Sequence, residues 1–243
     1  MVALVVTIII SYLSNIGLFN NETMATISAR YQNLFTPAGY AFSIWGLIYL
    51  GLFGFVIYYG PFTKNSDGKD KTILNVGWWF VISCIANSLW VLTWLYEYTL
   101  LTIPIMILLF ISLLKIIENT QAVIDSKDLR TSIFFSLPFH IYSGWISVAL
   151  IADVAAYLKK IQWSGFGISE TVWTVVLFAV AAVIYLYMVW KREMSAFALV
   201  AVWALIAIAV ANQHSDQTVY ISAIITAVVL LGNVFFQMLK KRT

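Results

Sequence analysis

Long apolar segments run along the whole chain, and short polar segments separate them. A bilayer core about 30 Å thick requires about 20 apolar residues per helix. Hydrocarbon offers no partner for backbone N–H and C=O groups, so such unbroken segments are expected to be helical. We therefore predict an all-α, polytopic transmembrane helix bundle. Its eight spans are predicted at about 2–19, 40–60, 73–95, 99–117, 132–157, 169–190, 196–212 and 217–239.

The predicted connections contain helix breakers and charged residues. Asn20–Glu22 end the first apolar segment, and Pro37 precedes the second. We predict a solvated loop at Lys64–Lys71, a tight turn at Glu97 and a break at Gln213–Gln217. The first segment lacks the basic start of a secretory signal, so we expect it to remain as a span.

Composition supports this class and excludes others. The chain is 62% hydrophobic and 10% charged, whereas soluble domains carry about 25% charged residues. The net charge is only +3 and the basic residues are scattered, so we expect no nucleic-acid partner. A single cysteine, Cys84, excludes a disulfide within the chain.

Lysine and arginine residues predict the orientation. With eight spans both termini lie on one side of the membrane, and that side holds 11 of the 14 basic residues. The other side holds only Arg30, Lys159 and Lys160. Because cytoplasmic loops are enriched in Lys and Arg, we predict that both termini are cytoplasmic. The 11 residues are Lys64, Lys69, Lys71, Lys115, Lys127, Arg130, Lys191, Arg192, Lys240, Lys241 and Arg242.

Aromatic and polar residues share one depth in the outer half of the predicted bundle. Asn87, Trp90 and Trp94 are spaced i, i+3, i+7, which places them on one helix face. Trp145 and Asp153, spaced i, i+8, lie on one stripe of another span, and Trp45 lies at a similar depth. Polar groups in a span face the protein interior. An aromatic-lined pocket for a flat apolar ligand is one interpretation. The alternative is that these residues only pack and hydrogen-bond between helices.

Three segments in this order resemble the TspO/MBR family of tryptophan-rich sensory proteins. TPAGYAFSIWGLIY (Thr36–Tyr49) is similar to the family's second helix, with Trp45 and Tyr49 four residues apart. ANSLWVLTW (Ala86–Trp94) is similar to its third helix, with Asn87 three residues before Trp90. LPFHIYSGWISVALIAD (Leu137–Asp153) is similar to its fifth helix, with Trp145 matching and Asp153 in place of an asparagine.

The resemblance implies a five-helix unit at residues 1–160, followed by a three-helix extension at residues 161–243. It implies binding of porphyrins or other hydrophobic molecules, with Trp45, Asn87, Trp90 and Trp145 as pocket residues. It also implies that the loop Asn20–Gly39 closes the pocket. The full set of candidate ligand-binding residues is Trp45, Tyr49, Asn87, Trp90, Trp94, Trp145 and Asp153, and the candidate lid residues are Arg30, Tyr31 and Pro37.

The leading functional prediction is a membrane protein that binds, and transports or senses, a planar porphyrin-like or sterol-like ligand. One alternative is a proton-coupled transporter of a small solute that uses Asp153 or His140. Another is a membrane enzyme acting on a tetrapyrrole or lipid, although no catalytic residue or metal site is predicted. We expect no required cofactor beyond a bound porphyrin or haem-like ligand. The expected partners are the lipid bilayer and the hydrophobic ligand. Whether the protein forms a homodimer is left undecided by the sequence.

Overall fold

Helices and short turns make up the described part of the chain. The computed structural model describes residues 1–60, 67–122 and 128–240, and these residues include no strand. Within them, eight helices correspond to the eight predicted spans. They are α1 (Val2–Asn15), α2 (Ile44–Tyr59), α3 (Asp67–Leu95), α4 (Thr99–Thr120), α5 (Leu137–Lys160), α6 (Glu170–Arg192), α7 (Ser195–Asn212) and α8 (Gln217–Lys240).

Seven of these helices are long and apolar enough to cross a membrane, and α1 is shorter. Its 14 residues correspond to about 21 Å, less than the hydrocarbon thickness. The predicted span 2–19 is therefore too long at its C-terminal end. Gly17 takes a left-handed conformation (φ 74°), and the Leu18 N–H donates to the Leu13 carbonyl, an arrangement that terminates a helix.

The connection between α2 and α3 also differs from the prediction. Residues 64–66 of the predicted loop Lys64–Lys71 lie outside the described residues, and the rest is helical because α3 begins at Asp67. Gly77 interrupts α3 with φ 51° and ψ −144°, which places a kink ten residues after its start.

Of the predicted cytoplasmic basic residues, Lys64, Lys127, Lys241 and Arg242 lie outside the described part. The predicted turn at Glu97 is confirmed, with a left-handed φ of 61°.

The chain forms two compact units. Unit 1 contains Met1–Ile27 and Ile44–Leu150, and unit 2 contains Ser28–Ser43 and Ile151–Thr243. Helix α5 starts in unit 1 and ends in unit 2. The two units are defined by contacts between residues. The predicted division at residue 160 was based on the family resemblance instead, and it stays a prediction.

Helices α2 and α5 approach each other closely within unit 1. A Cβ atom at Gly51 would lie 3.1 Å from Pro138 Cβ, and one at Gly54 would lie 3.3 Å from the Phe134 ring. Ser132–Ser136 form a π-helical turn immediately before α5. Because Pro138 lacks an N–H and its ring clashes with the preceding turn of an ordinary helix, a wider turn accommodates it. Gly51 and Gly54 therefore allow the close approach of the two helices, whereas Gly46 has no such neighbour.

Helix α6 in unit 2 has well-defined ends. The Ser169 hydroxyl accepts from the Val172 N–H at its N-terminus, and Glu170 follows in the first turn. At the other end Glu193 takes a left-handed conformation, and the Met194 N–H donates to the Met188 carbonyl (3.0 Å). Lys191 and Arg192 lie in the last turn, where positive charge complements the helix dipole.

Candidate functional site

Trp45 is the centre of an aromatic cluster inside unit 1. It is the second residue of α2, and its side chain is only 4% exposed. Four rings surround it at centroid distances of 5.6–6.4 Å. These four rings belong to Tyr49, Trp90, Tyr142 and Trp145.

The cluster combines stacked and edge-on contacts. Trp45 stacks on Tyr49 with an interplanar angle of 23°, and the Trp145 ring meets Trp45 edge-on at 84°. Trp90 continues the cluster by stacking on Trp94 at 5.9 Å. Offset-stacked and edge-on pairs are the favourable arrangements for aromatic rings, so the cluster is well packed as it stands.

A hydrogen-bonded chain of polar side chains borders the rings. Asn87 Nδ2 donates to the Tyr49 hydroxyl oxygen at 3.1 Å, and the same hydroxyl is hydrogen-bonded to Ser11 Oγ. Ser11 belongs to α1, which packs in unit 1 through Leu4, Thr7, Ser11 and Ser14. These contacts tie α1, α2 and α3 together at the cluster.

Three buried polar atoms of the cluster have no hydrogen-bond partner among the described residues. They are the indole nitrogens of Trp45 and Trp90 and the side-chain oxygen of Asn87. Trp90 is 4% exposed and Asn87 is fully buried. Two of these atoms are donors and one is an acceptor, so the cluster can offer hydrogen bonds of both kinds to a bound group.

The structure brings six of the seven candidate ligand-binding residues together in unit 1. Trp45, Tyr49, Trp90, Trp94 and Trp145 join through ring contacts, and Asn87 joins through Tyr49. These six side chains therefore form one cluster, and their common depth in the membrane stays a prediction. Their role as ligand-binding residues stays a prediction.

The seventh candidate residue, Asp153, belongs to unit 2 and not to unit 1. It is eight residues beyond Trp145 on α5, past Leu150, where unit 1 ends, and so it belongs to unit 2. Its side chain is 3% exposed. The carboxylate is therefore buried in protein.

The candidate lid residues also belong to unit 2. Arg30 ends a short helix, Met24–Arg30, and is exposed. The Tyr31 ring lies 5.6 Å from Lys160 Nζ in a cation–π arrangement, and Pro37 is buried. The predicted lid loop is thus divided, since its residues before Ser28 belong to unit 1.

Two members of the cluster were not predicted from the sequence. Tyr142 precedes Trp145 by three residues and so lies on the same helix face, a signal that could have revealed it. Ser11 belongs to a stripe of small polar residues on α1, Thr7, Ser11 and Ser14, which is a common pattern at helix contacts in membranes. That stripe predicts a buried face but not the contact with Tyr49.

A family model described as TSPO-like protein matches residues 1–236. The chain belongs to this family. The matched region includes α6, α7 and most of α8, so the three C-terminal helices are part of what the family model describes. No curated protein and no solved structure matches the chain.

Family membership and the seven long apolar helices make this TSPO-like chain a multi-pass integral membrane protein. The protein therefore contacts the lipid bilayer, and its many exposed large apolar side chains are suited to the hydrocarbon of the membrane. The aromatic cluster of unit 1 is its best candidate for a ligand-binding site.

Proposed function

We propose that the aromatic cluster of unit 1 binds a flat hydrophobic ligand of the porphyrin or sterol type that also carries hydrogen-bonding groups. The observation that carries this proposal is the trio of polar atoms on Trp45, Trp90 and Asn87 that have no partner among the described residues. A buried polar group without a partner costs about 1–3 kcal/mol. Packing needs the rings but gives no reason for the buried N–H groups and the amide oxygen.

The cluster suits such a ligand chemically. Indole N–H groups donate to carbonyl or carboxylate oxygens, and the Asn87 oxygen accepts from an N–H or O–H. The aromatic faces supply stacking surface for a planar ring system. Apolar lining with a few polar anchors is the usual composition of a small-molecule site.

Binding requires the rings to separate, because they pack against one another. Trp45 is suited to this movement because its indole N–H makes no hydrogen bond to the described residues that would hold the ring in place. We propose that the ligand inserts by displacing the Trp45 ring.

The test is a porphyrin titration of the full chain in detergent, followed by the porphyrin absorbance spectrum. We expect saturable binding by the wild type and at least about fivefold weaker binding by Trp45→Phe, because one hydrogen bond to the ligand is lost. Trp78→Phe is the matched control, since Trp78 belongs to the same unit and is 79% exposed. Absent saturable binding, or equal weakening in both variants, would refute the proposed site.

Transport of a small solute coupled to protons is a second candidate function, and the burial of Asp153 favours it. Ionisable side chains buried in a membrane protein often mark an ion pathway. Uptake into liposomes driven by a pH gradient, and abolished in Asp153→Asn, would favour this function over ligand binding. Unchanged porphyrin binding in Asp153→Asn would show that Asp153 does not take part in ligand binding.

For the orientation, we propose that both termini are cytoplasmic in the cell membrane, which the excess of Lys and Arg on that side supports. A membrane-impermeant maleimide should label Gln162→Cys but not Glu193→Cys in intact cells. Both positions are exposed, and the native Cys84 is buried. The reverse labelling pattern would invert the proposed orientation.

A further inference from the structure

The segment Ser28–Ser43 packs with the C-terminal helices inside unit 2. Both backbone groups of Leu34 are bonded to side chains from these helices. The Leu34 N–H donates to Glu170 Oε1 at 2.7 Å, and Asn212 Nδ2 donates to the Leu34 carbonyl at 3.0 Å. Glu170 starts α6 and Asn212 ends α7, so two helices hold one residue of the segment.

The segment is held again further along its length. The Ala38 N–H donates to the Ala207 carbonyl at 3.0 Å, and Trp203 Nε1 donates to the Ala41 carbonyl at 3.3 Å. Both partners belong to α7. The hydrogen bonds therefore extend from Leu34 to Ala41, almost to the start of α2.

Ring contacts accompany these hydrogen bonds. The Phe35 ring lies 5.7 Å from the Phe178 ring of α6, and Phe35 is buried. The Tyr40 ring meets Trp203 edge-on at 5.2 Å. Trp203 thus contacts the segment twice, through its ring and through its N–H.

We infer that α6 and α7 form an internal docking surface that holds Ser28–Ser43, the segment that leads into α2. The segment ends at Ser43, Ile44 begins α2, and Trp45 follows directly. Four hydrogen bonds and two ring contacts hold the segment. The C-terminal helices therefore act as a support for the segment that leads into Trp45. The effect on ligand rests on the proposed function, whereas the docking itself does not.

Hydrogen–deuterium exchange of the full chain in detergent tests the docking. Trp203→Phe keeps the ring and removes the N–H donor to Ala41. We expect exchange at residues 34–41 to accelerate about fivefold, the effect of losing one hydrogen bond. Trp190→Phe is the matched control, because it removes an indole hydrogen bond to Asn233 in the same unit and leaves the segment alone.

A second variant acts on the exposed end of the surface. Glu170→Ala removes the acceptor of the Leu34 N–H, so exchange at that amide should accelerate. Lys159→Gln is its control, because it removes the Lys159–Glu170 ion pair (3.6 Å) and leaves Glu170 in place. Unchanged exchange at residues 34–41 in both Trp203→Phe and Glu170→Ala overturns the docking surface.

The dissociation rate of porphyrin tests the support of Trp45. We expect porphyrin to leave Trp203→Phe about threefold faster than the wild type, within the range of one lost hydrogen bond, and to leave Trp190→Phe at the wild-type rate. Faster exchange with an unchanged dissociation rate overturns the support of Trp45. Faster exchange in a protein whose wild type binds no porphyrin confirms the docking and refutes the proposed function instead.

Discussion

Tryptophan side chains are bonded differently in the two units. In unit 2 the indole N–H groups of Trp173, Trp190 and Trp203 each donate, to the Gly165 carbonyl (2.9 Å), Asn233 Oδ1 (3.1 Å) and the Ala41 carbonyl (3.3 Å). In unit 1 the N–H groups of Trp45 and Trp90 have no partner among the described residues. Tryptophan N–H groups therefore stabilise the structure in unit 2. In unit 1, two of them make no hydrogen bond to the described residues.

This difference shows that the number of tryptophans does not identify a site. Trp94 makes the point within unit 1, because it stacks on Trp90 but donates its N–H to the Met24 carbonyl at 3.2 Å. We therefore place Trp94 at the structural edge of the cluster, and Trp45 and Trp90 at the side that we propose binds ligand. An unpartnered donor, rather than an aromatic ring, distinguishes the residues proposed to contact ligand.

The largest expected effect comes from replacing a glycine with valine, and the same change is made once in each unit for comparison. Gly51→Val in unit 1 should destabilise the protein by about 1–3 kcal/mol, because the added side chain meets Pro138 and pushes α2 away from α5. Gly232→Val in unit 2 should cost much less, because no atom lies within 4 Å of a Cβ at that position. Thermal unfolding in detergent measures both.

Equal destabilisation by the two glycine substitutions would mean that the close approach of α2 and α5 contributes nothing particular to unit 1. The cost of a side chain in a helix would then explain both results. A large loss confined to Gly51→Val would confirm that α2 is positioned by its packing on α5.

The next effect compares one tryptophan substitution in the two units. Trp203→Phe removes a satisfied hydrogen bond and should lower stability by about 1 kcal/mol. Trp90→Phe removes no hydrogen bond to the described residues, so without ligand its cost is the lost packing of the larger ring. In the presence of porphyrin we expect Trp90→Phe to lose the larger part of the ligand-induced rise in melting temperature.

Melting temperatures with and without porphyrin separate these cases. If Trp203→Phe loses more of the porphyrin-induced rise than Trp90→Phe does, the contrast between the units fails. If both variants keep the full porphyrin-induced rise, the Trp90 donor does not contact the ligand.

The smallest expected effect concerns two aspartates, one in each unit, that start helical segments. Asp128 accepts from the Thr131 N–H (2.8 Å), and this bond lowers the pKa of its carboxyl. Asp216 accepts from the Thr171 hydroxyl (2.6 Å) and the Val219 N–H (2.9 Å), and the Thr171 bond is the main cause of its lowered pKa. A carboxyl whose pKa is lower in the folded state stabilises that state above its unfolded pKa, and the contribution is lost as the pH falls.

We therefore expect the melting temperature to fall as the pH drops below about 4, the usual range of an aspartate. Asp128→Asn and Asp216→Asn should each flatten part of that fall. Because the caps are alike, the two variants should behave similarly. A fall that is unaltered in both variants would assign the acid sensitivity to other carboxylates.

Much of the fold could be predicted because hydropathy is a local property. The positions of α2 and of α4 to α8 agree with the predicted spans to within a few residues. The C-terminal end of α1 and the start of α3 could not be predicted as well. They depend on the left-handed Gly17 and on polar residues that become helical only in the context of the folded chain.

The candidate site was partly predictable for the same reason. Helical spacing placed Asn87, Trp90 and Trp94 on one face and Trp145 on a stripe of another helix, and Trp45 followed from its depth. The family resemblance added Tyr49. Tyr142 was missed although it shares a face with Trp145, and Ser11 was missed because its contact with Tyr49 joins helices distant in sequence.

The sequence by itself determined that this protein is a helical membrane protein with aromatic residues at one depth, because apolar length and helical spacing act along a single segment. Only the tertiary structure decided which indole N–H groups find acceptors, since an acceptor for Trp203 lies 162 residues away in the chain, at Ala41. It also decided that Ser28–Ser43 packs with α6 and α7, because that pairing depends on side chains that meet only after the helices have assembled.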